Sequence, residues 1–146
     1  MSTVDAFAQR WSPYLLSVLR IVVAALFLAH GTKKLLGFPG DGVTGDLPPL
    51  ILLAAWLEAG GGGLLVLGLG TRPVAFVLSG LMAVAYFMAH AQGGFFPILN
   101  GGELAVLYCF VFFYFAFAGG GPVSLDRLFR RKAPGQQVDA VETTSI

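Results

Sequence analysis

The sequence predicts an all-α protein, a four-helix transmembrane bundle with N- and C-termini on the cytoplasmic side. Three observations carry that prediction: an excess of apolar over charged residues, four apolar runs of spanning length, and a one-sided distribution of Lys and Arg. Of 146 residues, 56% are hydrophobic and only 12% charged, with a mean hydropathy of +0.78. Soluble domains carry about 25% charge, and small domains leave much of their surface exposed. Lipid must therefore be the solvent for a large part of this chain. The length allows one compact domain, read here as residues 1–132. Residues 133–146 are small or polar and read as a disordered tail.

A helix needs about 20 mostly apolar residues to cross the hydrocarbon core. Four segments meet this, at about 14–36, 48–70, 73–91 and 102–118. Prolines mark two starts, Pro48-Pro49 and Pro73, where a missing N–H costs least. Glycines punctuate the ends: Gly37 to Gly42, Gly70, Gly93-Gly94 and Gly119 to Gly121. The first run is too long for a signal-peptide core and ends in His30-Gly31-Thr32-Lys33-Lys34, so it reads as a span and not a cleaved leader. Only Thr71-Arg72 separates spans two and three in this reading, which makes them an antiparallel hairpin. Residues 124–132 mix Leu and Phe with Arg and Lys behind a Ser124 cap, the pattern of a short interfacial helix. Val4 to Trp11 is a second interfacial candidate.

With four spans, Arg10, Arg72, Arg127, Arg130, Arg131 and Lys132 share one side, against Lys33 and Lys34 on the other. The positive-inside rule then sets the termini in the cytoplasm of a multi-pass inner-membrane protein.

Ionisable residues inside spans are costly and default to functional candidates. Arg20, Glu58, His90 and Glu103 are of this kind, with His30, Lys33 and Lys34 nearer a surface. At about 1.5 Å per residue, Arg20 lies roughly 9 Å and His30 roughly 24 Å above the cytoplasmic end of span one. Glu58 lies about 15 Å below the outer end of span two. Arg20, His30 and Lys34 fall in one angular sector of span one, and Tyr86 and His90 stack on span three. Glu58, His90 and Glu103 are accordingly the candidates for proton chemistry. Arg20, His30, Lys34 and Tyr86 are candidates for holding a ligand in a polar pocket toward the outer leaflet. The bland alternative is an Arg20–Glu58 pair that pins helices one and two, with His90 and Glu103 merely solvated.

Glycine is abundant, with 20 residues. The run Gly60 to Gly63, together with Gly80, reads first as small-residue helix packing; room for a flat ligand beside Glu58 is the second reading. The aromatic run from Tyr108 to Phe117 goes all the way round its helix and reads first as lipid-facing filler; a part of it lining an apolar pocket is the second reading. The single Cys109 excludes an intrachain disulfide. A near-neutral net charge argues against nucleic acid. Phosphate-loop, dinucleotide, zinc-protease and nucleophile-elbow motifs are absent, and two His with two Glu scattered over four helices give no metal site.

Taken in order, Leu19-Arg20-Ile21, His30-Gly31-Thr32-Lys33-Lys34-Leu35, Glu58-Ala59-Gly60-Gly61, His90, Asn100-Gly101-Gly102-Glu103 and Ser124-Leu125-Asp126 resemble the DoxX family of small bacterial membrane proteins. The resemblance covers residues 14 to 128. It implies a four-helix inner-membrane protein linked to quinone-coupled or oxidative-stress chemistry, with Arg20, His30, Glu58, His90, Asn100 and Glu103 at the family's polar positions.

Three functions compete. The first is a membrane redox component, of the oxidoreductase-subunit kind, that binds a quinone entering from lipid and exchanges electrons with a partner. The second is a non-catalytic anchor or assembly subunit that docks a redox partner through the basic tail. The third, a small-solute transporter, is disfavoured because no inverted repeat is visible. Expected partners are the bilayer and a soluble or membrane redox protein, with self-association as a further option.

Overall fold

The computed structural model describes residues 2–40 and 46–132; the tail at 133–146, expected to be disordered, and part of the loop after span one lie outside them. The elements are α1 (Thr3–Leu36), α2 (Pro49–Leu67), α3 (Thr71–Ala85), a π-helical turn (Tyr86–His90), a 3-10 turn (Ala91–Gly93), α4 (Pro97–Asn100), α5 (Glu103–Ala118) and α6 (Leu125–Lys132). Everything regular is helical among the described residues.

The buried positions explain the assembly. They are Ser17, Arg20, Ala24, Phe27 and Gly31 on α1, Ala55, Glu58, Gly62 and Leu65 on α2, and Ala105, Tyr108, Phe112 and Phe115 on α5. Each set steps by three and four residues, the seam spacing of a left-handed bundle. The rest of each helix presents Leu, Val, Ile and Phe outward, which lipid accepts and water would not. Among the described residues, α1, α2 and the continuous helix Thr71–Gly93 are long and apolar enough to cross a membrane. α5 is apolar but has only 16 residues, about 24 Å at the helical rise.

Several boundaries differ from expectation. α1 does not start near residue 14: Val4 to Trp11 belong to the same helix, which runs through Pro13. Its start is fixed by a reciprocal cap, Asp5 N–H to Ser2 Oγ at 3.2 Å and Ser2 N–H to Asp5 Oδ2 at 2.9 Å. The α2–α3 turn is Gly68-Leu69-Gly70, and Thr71 and Arg72 already lie in α3. Both turn glycines have positive φ, 68° and 60°, a conformation that costs other residues a Cβ clash.

Glycine use divides by position. A Cβ on Gly31 would strike the backbone of α2 at Ala55 and Ala59, and one on Gly62 would come within 2.9 Å of the Leu28 backbone. These two glycines let α1 and α2 touch. Gly61 faces the Leu78 side chain, whereas Gly60, Gly63 and Gly80 have open space around them. Packing thus explains only part of the run.

The aromatic run also divides. Tyr108, Phe112 and Phe115 face the core, and Phe110, Phe113, Tyr114 and Phe117 face outward. Phe112 meets Phe27 edge-on at 4.8 Å and stacks on Tyr108 at 5.6 Å. The lipid-facing reading fits the outer half, and the inner half packs into the core.

Candidate functional site

The two ends of the bundle carry different chemistry. The end bearing the start of α1 and α6 is called the terminal end here, and the opposite one the distal end.

At the distal end a cavity of about 430 Å³ opens between α1, α2, α3 and α5, within the usual size of small-molecule pockets. Leu50, Ile51, Leu53, Leu81, Val84, Met88 and Leu104 give it apolar walls, and His30, Lys34, Glu58, His90 and Tyr108 give it a polar lining. α2 and α3 pack less closely than the pairs α1–α2 and α3–α5, and the cavity lies between their distal halves.

The centre of the polar group is an ion pair. Lys34 Nζ donates to Glu58 Oε1 at 2.7 Å and Oε2 at 2.8 Å. The Glu58 side chain is 5% exposed and that of Lys34 34%. Side chains lean toward the N-terminus of their own helix. On antiparallel α1 and α2, Lys34 therefore leans inward from the distal surface while Glu58 leans outward to meet it. The His30 ring stands edge-on to Tyr108 with centroids 6.0 Å apart.

His90 reaches the cavity through the π-helical turn, closed by the Ala91 N–H to Tyr86 O bond. Single π turns are a frequent mark of functional positions. His90 Nδ1 lies 3.1 Å from the Asn100 carbonyl. A carbonyl only accepts, so Nδ1 carries the hydrogen and Nε2 is left as the acceptor of the neutral ring.

Tyr86 and Asn100 support this arrangement from behind. Asn100 Nδ2 donates to Tyr86 Oη at 3.3 Å and to Gly94 O at 2.9 Å, and its Oδ1 accepts from Gly102 N–H at 2.8 Å. Tyr86 stacks on His90 with planes 22° apart and donates to Phe95 O. The two residues organise the 91–102 connection and do not line the cavity. Glu103 stays outside it too, exposed in the first turn of α5, where the helix dipole favours a carboxylate.

Arg20 is not part of this group, and the Arg20–Glu58 pair considered from the sequence does not form. The same lean carries the Arg20 side chain toward the terminal end, away from Glu58. There it is fully buried and donates to the carbonyls of Leu65, Val66 (2.9 Å), Gly120 (3.0 Å) and Val123. Two of these belong to the C-terminal turn of α2, whose dipole end a cation suits. Ser17 assists, donating to Gly120 O at 3.3 Å and accepting from Val123 N–H at 3.1 Å.

Asp126 completes the terminal end. Its carboxylate accepts from Gly70 N–H at 2.7 Å and Thr71 N–H at 2.8 Å, and its own N–H donates to Gly68 O at 2.9 Å. It thereby caps α3, which has no cap of its own. Burial would raise the Asp126 carboxyl, but the hydrogen bonds from Thr71 and Gly70 and the charge of Arg130 outweigh it and hold it below the usual carboxylate range.

Sequence reasoning missed Tyr108 as a cavity residue and Ser17 and Asp126 as locking residues. The Ala105, Tyr108, Phe112, Phe115 spacing was the available signal for the first. The other two depend on chain folding that no local pattern announces. Among the described residues, no group of three or more His, Cys, Asp or Glu could hold a metal ion.

The DoxX sequence model matches residues 15–91. An uncharacterised protein of Haemophilus influenzae is 50% identical over 132 residues, covering 85% of this chain and 97% of its own. The inner membrane protein YqjF of Escherichia coli is 31% identical over 124 residues, covering 79% of this chain and 92% of its own. No solved structure matches. The apolar helices and these relatives make this a multi-pass protein of the inner membrane. On the matched span and the relatives' near-complete coverage, the chain belongs to the DoxX family.

Proposed function

We propose that the distal cavity binds a flat lipophilic ring of the quinone class, admitted sideways from the bilayer between α2 and α3. The single observation that carries this reading is the placement of a Lys–Glu ion pair and two histidines in one apolar-walled cavity of about 430 Å³. A quinone needs both kinds of surface, apolar for its face and tail and polar for its oxygens. Lys34 has a third N–H beyond the two engaged by Glu58, and that donor suits a ring carbonyl. The Nε2 of His90, and His30 beside Tyr108, suit the exchange of ring protons. Reduction of a quinone to a quinol takes two electrons and two protons. The protons pass through Glu58 and the histidines, and the electrons come from a separate redox protein. In the bilayer α5 serves as the fourth crossing, and the terminal end with Arg10, Arg72, Arg127 and Arg130 faces the cytoplasm.

Isothermal titration of the detergent-purified chain with short-chain benzoquinones and naphthoquinones tests this. Saturable binding is expected, weakened about ten-fold, or about 1.4 kcal/mol, by Glu58→Gln and by His90→Ala with helical content unchanged. Absence of saturable binding, or equal binding by both variants, would leave the Lys34–Glu58 pair as a helix pin. It would then favour the reading of the chain as an anchoring subunit.

A further inference from the structure

A second cleft, of about 360 Å³, lies at the terminal end, and the distal cavity reading makes no use of it. Arg72 from α3, Arg127 and Arg130 from α6, and the glycine loop 119–121 line it together with Asp126. Among the described residues none of the three arginines forms a salt bridge, since Lys34–Glu58 is the only one. Asp126 offsets only part of their charge, since it is one carboxylate among three arginines. Arg72 makes one long bond, 3.4 Å to Ala116 O. Three arginines with spare donors therefore line one cleft, and a guanidinium fork is the group that phosphate oxygens match best.

An independent feature says what carries the phosphate. A shallow groove of about 500 Å³ runs up the outside of α1 along Leu15, Leu16, Val18, Leu19 and Val22, with Tyr114 of α5 as its far wall. Leu16 lines both the groove and the arginine cleft, so the two share a wall. An apolar channel in the lipid-facing surface that ends in a cationic cleft at the membrane boundary has the shape and polarity of one phospholipid. α6 fits the same level: Leu128 and Phe129 are exposed on it beside the arginines, as on an interfacial helix.

We propose that this cleft and groove form a binding site for an anionic phospholipid. The headgroup phosphate lies among Arg72, Arg127 and Arg130, and one acyl chain follows α1. The test is native mass spectrometry of the detergent-solubilised full chain, titrated with phosphatidylglycerol and with phosphatidylcholine of the same acyl chains. Phosphatidylglycerol is expected to bind at least about five-fold more tightly, the scale of one basic residue near a charged surface. The Arg127→Gln/Arg130→Gln variant is expected to lose that preference. Val18→Trp, which fills the groove and leaves every arginine in place, is expected to weaken both lipids. Arg10→Gln, exposed at the same end but outside the cleft, is expected to change nothing. Equal binding of the two lipids overturns the proposal. So does a loss in Arg10→Gln as large as in the double variant, which would mean diffuse surface charge. Competition by inorganic phosphate or by glycerophosphoglycerol as strong as by the intact lipid would make it a phosphate site and overturn the lipid assignment.

Discussion

Each end of this bundle buries charge, and the two ends use it in opposite ways. At the terminal end Arg20 is surrounded by backbone carbonyls from α2 and from the loop after α5. Its partners are fixed in place by the fold, so the arginine can do little but hold them. At the distal end Lys34 and Glu58 are partners on flexible side chains, and they border a cavity instead of a packed loop. A buried charge whose every contact is main chain acts as a fastener. One that faces a side chain and an opening keeps capacity for a ligand. The difference lies in the partners and not in the depth, since Arg20 and Glu58 are both almost fully buried.

The largest expected effect follows from the fastener. Arg20→Gln leaves several buried carbonyls without a donor, and hydrogen bonds to charged groups are worth about 1.5–3 kcal/mol each. A loss of about 3 kcal/mol or more is expected, read as a lowered thermal midpoint of helical circular dichroism in detergent. A shift near zero would mean that the carbonyls find other donors and that the terminal end is not held by Arg20.

Next is the contact that brings the distal pair into range. Gly31→Leu forces a side chain against the α2 backbone at Ala55 and Ala59, and overpacking of this kind costs about 1–3 kcal/mol. Gly31 lies one turn from Lys34, so the variant is expected to part Lys34 from Glu58 and weaken quinone binding, while the Arg20 contacts persist. Unaltered binding would show that the ion pair does not depend on close α1–α2 approach.

A smaller effect distinguishes the ends by pH. The folded Asp126 carboxyl titrates below its ordinary value of 3.8. Its contribution is therefore present above that ordinary value and is lost as pH falls through the lowered folded one. Asp126→Asn is expected to flatten the acid limb of stability over that window and to leave the neutral plateau only modestly lower. An acid limb identical to the unaltered chain would assign the acid sensitivity to another carboxylate.

Much of the helical scaffold was legible in the sequence because apolar run length and glycine or proline punctuation are local signals. The start of α1 was not, since the helix continues through Pro13 and is closed by a Ser2–Asp5 cap well before the lipid-length run begins to count. Glu58 and His90 were legible from the cost of a charge in lipid, and His30 and Lys34 from their shared sector of α1, although the same signals also drew in Glu103 and Arg20. The pairing was not: rise per residue placed Glu58 between Arg20 and His30, and that arithmetic follows Cα atoms, whereas ion pairs form between side-chain tips. Once the lean of each side chain toward its own N-terminus is included, Glu58 reaches Lys34 and Arg20 turns away. Tyr86 was legible from its four-residue spacing to His90 and Asn100 only from the family resemblance, and both hold the 91–102 connection without entering the cavity. Asp126 bonds across more than 50 residues of sequence, and no periodicity reports that.

The smallest stability effect is the most direct test of the contrast. Glu58→Gln alone strands the Lys34 ammonium beside an apolar cavity, and breaking a buried pair from one side is costly. Lys34→Met with Glu58→Gln removes both charges at similar volume, and such replacements are often neutral because desolvation offsets the attraction. Lys34 is also about a third exposed, which lowers the worth of the pair further. The double variant is expected to unfold within about 1 kcal/mol of the unaltered chain, to be more stable than Glu58→Gln alone, and to bind no quinone. That outcome would place the value of the pair in binding. A double variant as unstable as Arg20→Gln would instead make the distal pair a second fastener, and the two ends would then differ in architecture but not in purpose.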